Sequence, residues 1–176
     1  MKTDIVNGST IILGLGNPIL GDDGIGCILA ESVGRRLENL PNITVLSTSL
    51  SPIRLLDEIA DHDRLVIIDS ISTGQVEPGT LLEVDFSEQE EPFPVSGHHF
   101  SVSQLADTGK ALGLSIPQHI AVYGIEIQPP TQYGDQLSPM LERRIPELSD
   151  EILELEFPDQ YGSESNICRE ENNQNA

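Results

Sequence analysis

The sequence predicts one α/β domain: a mostly parallel, twisted sheet with helices on both faces. Three observations carry this reading. Short apolar runs of strand length alternate along the chain with segments whose apolar residues recur at helical spacing. The third run, "RLVIIDSI" (64–71), is apolar without alternation until Asp69, as suits a strand covered on both sides. A chain of 176 residues can bury well over half of its unfolded surface around a single core, and no internal repeat divides it.

The elements follow in order. "TIILGLG" reads as a buried strand ending at Gly14, and "GIGCILAESVGRRLENL" places Ile25, Ile28, Leu29, Val33 and Leu37 on one helical face. "ITVLSTS" (43–49) is the second strand, and "SPIRLLDEIAD" opens a helix with Ser51 at the N-cap and Pro52 at its first position. After strand three and the Gly/Pro-punctuated "STGQVEPGT", "LLEVDF" reads as a further strand. "SEQEEPFPVSGHH" is a polar, irregular loop that ends in His98 and His99. "FSVSQLADTGKALG" is then a helix, "QHIAVYGIEI" a strand, and "DQLSPMLERRIPELSDEILELE" a last helix expected to break or kink near Pro146. Residues 1–157 form the domain, and the polar, aromatic-poor segment 158–176 is expected to be a flexible tail.

Charge narrows the partners. A net charge of −20, from 29 Asp and Glu against 9 Lys and Arg, repels nucleic acid and anionic lipid surfaces. Cys27 and Cys168 stand at opposite ends of the chain, giving neither a disulfide framework nor zinc-finger spacing. The first residues lack the apolar core of a signal peptide, and no run approaches the roughly 20 apolar residues of a membrane span. The expectation is a cytoplasmic protein with reduced thiols and no membrane insertion.

In folds of this class the ligand crevice lies at the carboxyl ends of the strands, where strand order reverses. With strands one and three as neighbours, Asp22 and Asp23 beyond the first and Asp69 at the end of the third face one crevice. The turn "GLGNPILGDDGIG" keeps Gly14 and Gly16 of a G-x-G-x-x-G nucleotide loop but has Ile19 at the third position. It also puts carboxylates where a helix N-terminus would receive a phosphate. Either aspartate alone could be an N-cap; two in succession leave one over. Asp69 could equally serve a neighbouring loop's amides, and the histidine pair could be a cap. Taken together, Asp23, Asp69 and His98 are two carboxylates and an imidazole from three crevice loops, a donor set suited to a divalent metal with open positions. A serine or cysteine nucleophile has weaker support: Ser70 and Ser72 lack a G-x-S-x-G elbow, and Cys27 falls on a helix where a core position serves as well.

Four stretches in this order, "GLGNPILGDDGIG", "VIIDSI", "SGHHFSVSQL" and "VYGIEIQPPTQYGDQLSP", resemble the hydrogenase maturation endopeptidases over roughly residues 10–155. That resemblance implies a phosphorylase/hydrolase-like α/β fold and an enzyme that trims the C-terminus of a nickel-iron hydrogenase large-subunit precursor. It implies Asp23, Asp69 and His98 as metal ligands and catalytic residues, with His99 the alternative to His98. Some members have Asp-Glu where this chain has Asp22-Asp23, so the reach of the second residue is shorter here. The metal implied is nickel already installed in the substrate, although other divalent metals fit the same donors. Whether metal or aspartate drives hydrolysis stays open. Two other readings stand beside it: a noncatalytic chaperone that recognises nickel-loaded precursor with the same three ligands, and a peptidyl-tRNA hydrolase-like esterase, which shares "GLGNP" and an α/β architecture but continues differently. The esterase reading is opposed by the acidity and by the absence of a T-R-H-N-like segment.

Overall fold

Among the described residues, the alternation of apolar runs and helical periodicity resolves into five strands and five α-helices. The computed structural model describes residues 8–84, 102–129 and 133–161. In chain order these are β1 (Thr10–Leu15), α1 (Ile25–Arg36), β2 (Ile43–Thr48), α2 (Leu56–Ile59), β3 (Arg64–Ile71), β4 (Leu81–Glu83), α3 (Val102–Leu112), β5 (His119–Glu126), α4 (Pro139–Glu156) and α5 (Pro158–Tyr161). The sheet order is β2-β1-β3-β5-β4, parallel except for β4, which runs antiparallel to β5 at the edge. Strand reversal at β1 and β3 is thus where the sequence places it.

Alternation along the strands sorts the core into two layers. Ile12, Val66, Ile68 and Tyr123 face α1 and α4, packing against Leu29, Val33, Leu148 and Ile152. Ile11, Leu13, Leu65 and Ile67 face the other way, against Leu55, Leu56 and Ile59 and against Leu105 of α3. The long apolar run of β3 is explained by this double cover.

Three expectations are corrected. The final helix is uninterrupted at Pro146: it begins at Pro139 behind the Ser138 N-cap and runs to Glu156. Proline removes one helical bond, but Leu141 on one side and Leu148, Ile152 and Leu153 on the other are buried, so both halves are held in line by the same core. The second helix starts as a 3-10 turn at Pro52–Leu55, and Ser51 caps by position without a side-chain bond. The fourth strand is three residues long, and the segment after Val84 up to residue 101 lies outside the described residues. At the other end of the chain, Pro158–Tyr161 form α5, and the Tyr161 hydroxyl donates to Arg36 O at 2.6 Å.

Helix α1 sits unusually close to the sheet. A Cβ on Gly26 would stand 2.2 Å from Leu15 O, 2.4 Å from Ile68 O and 2.9 Å from Asp69 Cα. Alanine is intrinsically the better helix residue by about 0.8–1 kcal/mol, but here packing decides the sign. Gly26→Ala is expected to cost at least about 2 kcal/mol, read as a lower urea midpoint. Wild-type stability in that variant would show that the helix is not seated this deeply.

Candidate active site

The site is built where β1 and β3 end side by side, with Gly14 paired to Ile68 one residue before Asp69. Beyond Leu15 the chain turns at Gly16, whose φ of +148° favours glycine and whose missing Cβ would meet Asp23 O at 2.1 Å. Gly16 therefore lies flat against the 3-10 turn Gly21–Gly24 that carries the two aspartates. Neither caps its own helix, because the turn runs directly into α1 and both residues sit within it; Gly24 is the N-cap and makes no side-chain bond.

The two carboxylates divide their work. Asp22 Oδ1 accepts from Ser138 N–H at 2.5 Å, tying the loop after β1 to the head of α4. Asp23 turns inward and is 3% exposed. Its Oδ2 accepts from Asn17 N–H at 2.9 Å, and its Oδ1 from the Ser70 hydroxyl at 3.0 Å. Asp69 is fully buried; its Oδ1 accepts from Ser70 N–H at 2.7 Å, while Oδ2 has no hydrogen-bond partner among the described residues. Ser70 thus bridges the pair, its amide on one carboxylate and its hydroxyl on the other. Burial pushes the Asp69 carboxyl well above the usual carboxylate range, the Ser70 amide opposes this, and the charge of Asp23 adds to the rise.

Sequence reading misses two residues here. Ser70, weighed in the sequence only as a nucleophile, bridges the two carboxylates. Glu126, at the end of β5, is 1% exposed and accepts from Thr73 Oγ1 and Gly74 N–H, both at 2.7 Å, which fixes the loop leaving β3. The available signal is a lone acidic residue inside the apolar "VYGIEI". Cys27 is a core thiol: burial pushes its pKa up, and Sγ donates weakly to Gly14 O at 3.5 Å. His98 and His99 lie outside the described residues. Helix α3, which follows them, leads back to the start of β5, so its first turn lies toward the carboxyl end of the sheet. Among the described residues no three His, Cys, Asp or Glu side chains are gathered into a metal-binding group; of the three residues named from the sequence, Asp23 and Asp69 are brought together through Ser70.

A family model for hydrogenase maturation proteases, HycI, matches residues 27–155. The chain belongs to the hydrogenase maturation protease family. It is similar to HupD, a hydrogenase expression/formation protein of Thiocapsa roseopersicina, at 26% identity over 86% of this chain and 68% of the relative. It is similar also to the hydrogenase 2 maturation protease of Escherichia coli K12, at 25% identity over 65% and 71%. Among solved structures, the [NiFe] hydrogenase maturation protease HycI from Thermococcus kodakarensis superposes with a TM-score of 0.64 at 25% identity, covering 85% of this chain and 92% of that one. The Escherichia coli endopeptidase HybD shares the fold at a TM-score of 0.58 and 24% identity, covering 82% and 90%. This hydrogenase maturation protease is therefore a hydrolase, an endopeptidase, and the peptidyl-tRNA hydrolase-like reading is set aside. No helix among its described residues is long and apolar enough to cross a membrane.

Proposed function

We propose that this protease removes a short C-terminal peptide from the nickel-loaded large-subunit precursor of a nickel-iron hydrogenase, using the substrate's own nickel as the recognition element. The observation that carries the reading is Asp69 Oδ2: a buried carboxylate oxygen with no hydrogen-bond partner among the described residues, beside a second buried carboxylate. A buried anion in that state is strongly disfavoured unless a cation joins it. The donor chemistry fits a borderline divalent ion, and His98, or His99 in its place, is the third donor proposed.

Asp69 offers the open oxygen to the incoming cation. Asp23, held by Asn17 and Ser70 in a fixed rotamer, presents its carboxylate from the opposite loop and takes the general-base role. When bound, the substrate-borne nickel would polarise the scissile carbonyl as a Lewis acid. Glu126 keeps the loop after Asp69 in place, and so limits the freedom of both Asp69 and Ser70.

The test is incubation of the purified protein with nickel-loaded and nickel-free precursor, read by intact mass. Cleavage only of the loaded precursor is expected, with Asp69→Ala and His98→Ala reducing it at least about a hundredfold while staying folded; full activity in His98→Ala but not in His99→Ala moves the third ligand to His99. Equal cleavage of both precursors would remove nickel from the reading, and a stable complex without cleavage would make the protein a chaperone for this substrate.

A further inference from the structure

Eight large apolar side chains stand exposed among the described residues, and six of them are at one end of the sheet. Ile19 follows β1; Leu50 and Ile53 follow β2; Val76 follows β3; Tyr133 follows β5, and Met140 opens α4 after it. All these segments leave the carboxyl ends of parallel strands, the end that holds Asp23 and Asp69. Leu112 and Leu155 close α3 and α4 at the opposite end. A single exposed apolar residue needs no explanation, but six on the loops at one end of the sheet point to an interaction surface.

We infer that this apolar collar is the docking surface for a folded protein partner, and that the partner presents an apolar face around a cationic centre. The inference rests on the proposed function, under which that partner is the large-subunit precursor. Two further observations favour it. The collar's two most exposed residues, Ile19 and Tyr133, flank a braced backbone: Leu20 and Gly134 form a parallel bridge, Gly21 N–H donates to Gly134 O at 2.7 Å, and Gly134 N–H to Ile19 O at 3.0 Å. With the Asp22–Ser138 bond, this sets Ile19, 58% exposed, and Tyr133, 86% exposed, at adjacent positions of a braced lip. Anchors that are ordered before binding lose little entropy on binding, as interface hot spots require. Charge supplies the second argument. Glu77 and Asp135 stand exposed on the collar loops with Arg54 as the basic neighbour of Ile53, around two buried aspartates. In a chain of net charge −20 such a face fits an apolar surface that carries a cation, and it repels anionic lipid and nucleic acid.

The experiment compares wild type with two double variants, Ile19→Ser/Tyr133→Ser and Leu50→Ser/Ile53→Ser. Leu112→Ser/Leu155→Ser is the control at the far end. Binding of labelled nickel-loaded precursor and its cleavage are measured in parallel, using each large-subunit precursor of the source organism, with thermal midpoints recorded for every variant. Each collar variant is expected to keep the wild-type midpoint and kcat but to raise Kd and KM at least tenfold, equivalent to about 1.4 kcal/mol; the control is expected to match wild type. Collar variants with unchanged Kd and KM, beside a wild type that cleaves, would overturn the collar and leave the protease reading intact. Binding without cleavage, lost in the collar variants, would support the collar and overturn the protease reading. A wild type that neither binds nor cleaves any precursor overturns both. Collar variants that lose self-association in sedimentation, with precursor affinity unchanged, would reassign the face to a second copy of this chain and overturn the inference.

Discussion

Asp69→Asn is expected to abolish cleavage and, at neutral pH, to make the protein more stable. The amide oxygen of the substituted side chain would still accept from Ser70 N–H, as Asp69 Oδ1 does, so the local fold is kept. What changes is the other oxygen, which in the wild type is buried and without a hydrogen-bond partner among the described residues. A neutral amide there removes the desolvation of an anion and its repulsion by Asp23. The gain is on the order of 2 kcal/mol, about 4–8 °C in a chain of this length. The sign of the pH dependence follows from the raised Asp69 pKa. Below about pH 4, the ordinary carboxyl range, Asp69 is protonated folded and unfolded alike and costs nothing. As pH climbs through the folded pKa, the unfolded state has already released the proton that the folded state still holds, so wild-type stability falls. Melting curves from pH 4 to pH 8 should therefore diverge, with Asp69→Asn gaining on wild type as pH rises. Parallel curves, or a less stable variant at pH 8, would mean that Asp69 is already balanced by a cationic partner in the free protein.

This trade of stability for an open carboxylate shows which parts of the molecule the sequence makes legible. β3 is read at its true bounds because an unbroken apolar run admits few alternatives, and the placement of Asp69 at its carboxyl end follows from strand order alone. Asp23 is legible as the second crevice carboxylate for the same reason. That its neighbour Asp22 is the structural one of the pair is legible too, but not how: it bonds Ser138 N–H, 116 residues away in sequence, instead of capping α1, and no local pattern encodes that contact. Ser70 is hidden for a related reason, since a serine after an aspartate signals nothing until both carboxylates are in place. Pro146 misleads because a helix breaker is a local statement, and the buried leucines on either side outweigh it. His98 and His99 are legible as a pair in sequence but lie outside the described residues, so the choice between them passes to the variants above.

The largest expected loss of stability lies at the other end of the sheet, far from the chemistry. Arg64, the first residue of β3, forms an ion pair with Glu156 at the end of α4, their side chains 15% and 4% exposed. Arg64 Nη1 also donates to Glu156 O at 2.9 Å, and its guanidinium stands 5.9 Å from the Phe157 ring centroid. The Tyr123 hydroxyl donates to the second Glu156 oxygen, and burial pushes the Tyr123 pKa up to about 12. The carboxylate is therefore held between a cation and a hydroxyl that stays protonated. Arg64→Met leaves that carboxylate buried without its cation, and is expected to cost about 3–5 kcal/mol, a fall of about 6–20 °C in Tm. Adding Glu156→Gln keeps an acceptor for Tyr123 but removes the stranded charge, and the double variant should recover most of the loss. An additive double variant would show that the stacking of the Arg64 guanidinium over Phe157, rather than the charge pair, holds α4 to the sheet. In either case cleavage per folded molecule should match wild type, because Arg64 begins the strand that Asp69 nearly ends.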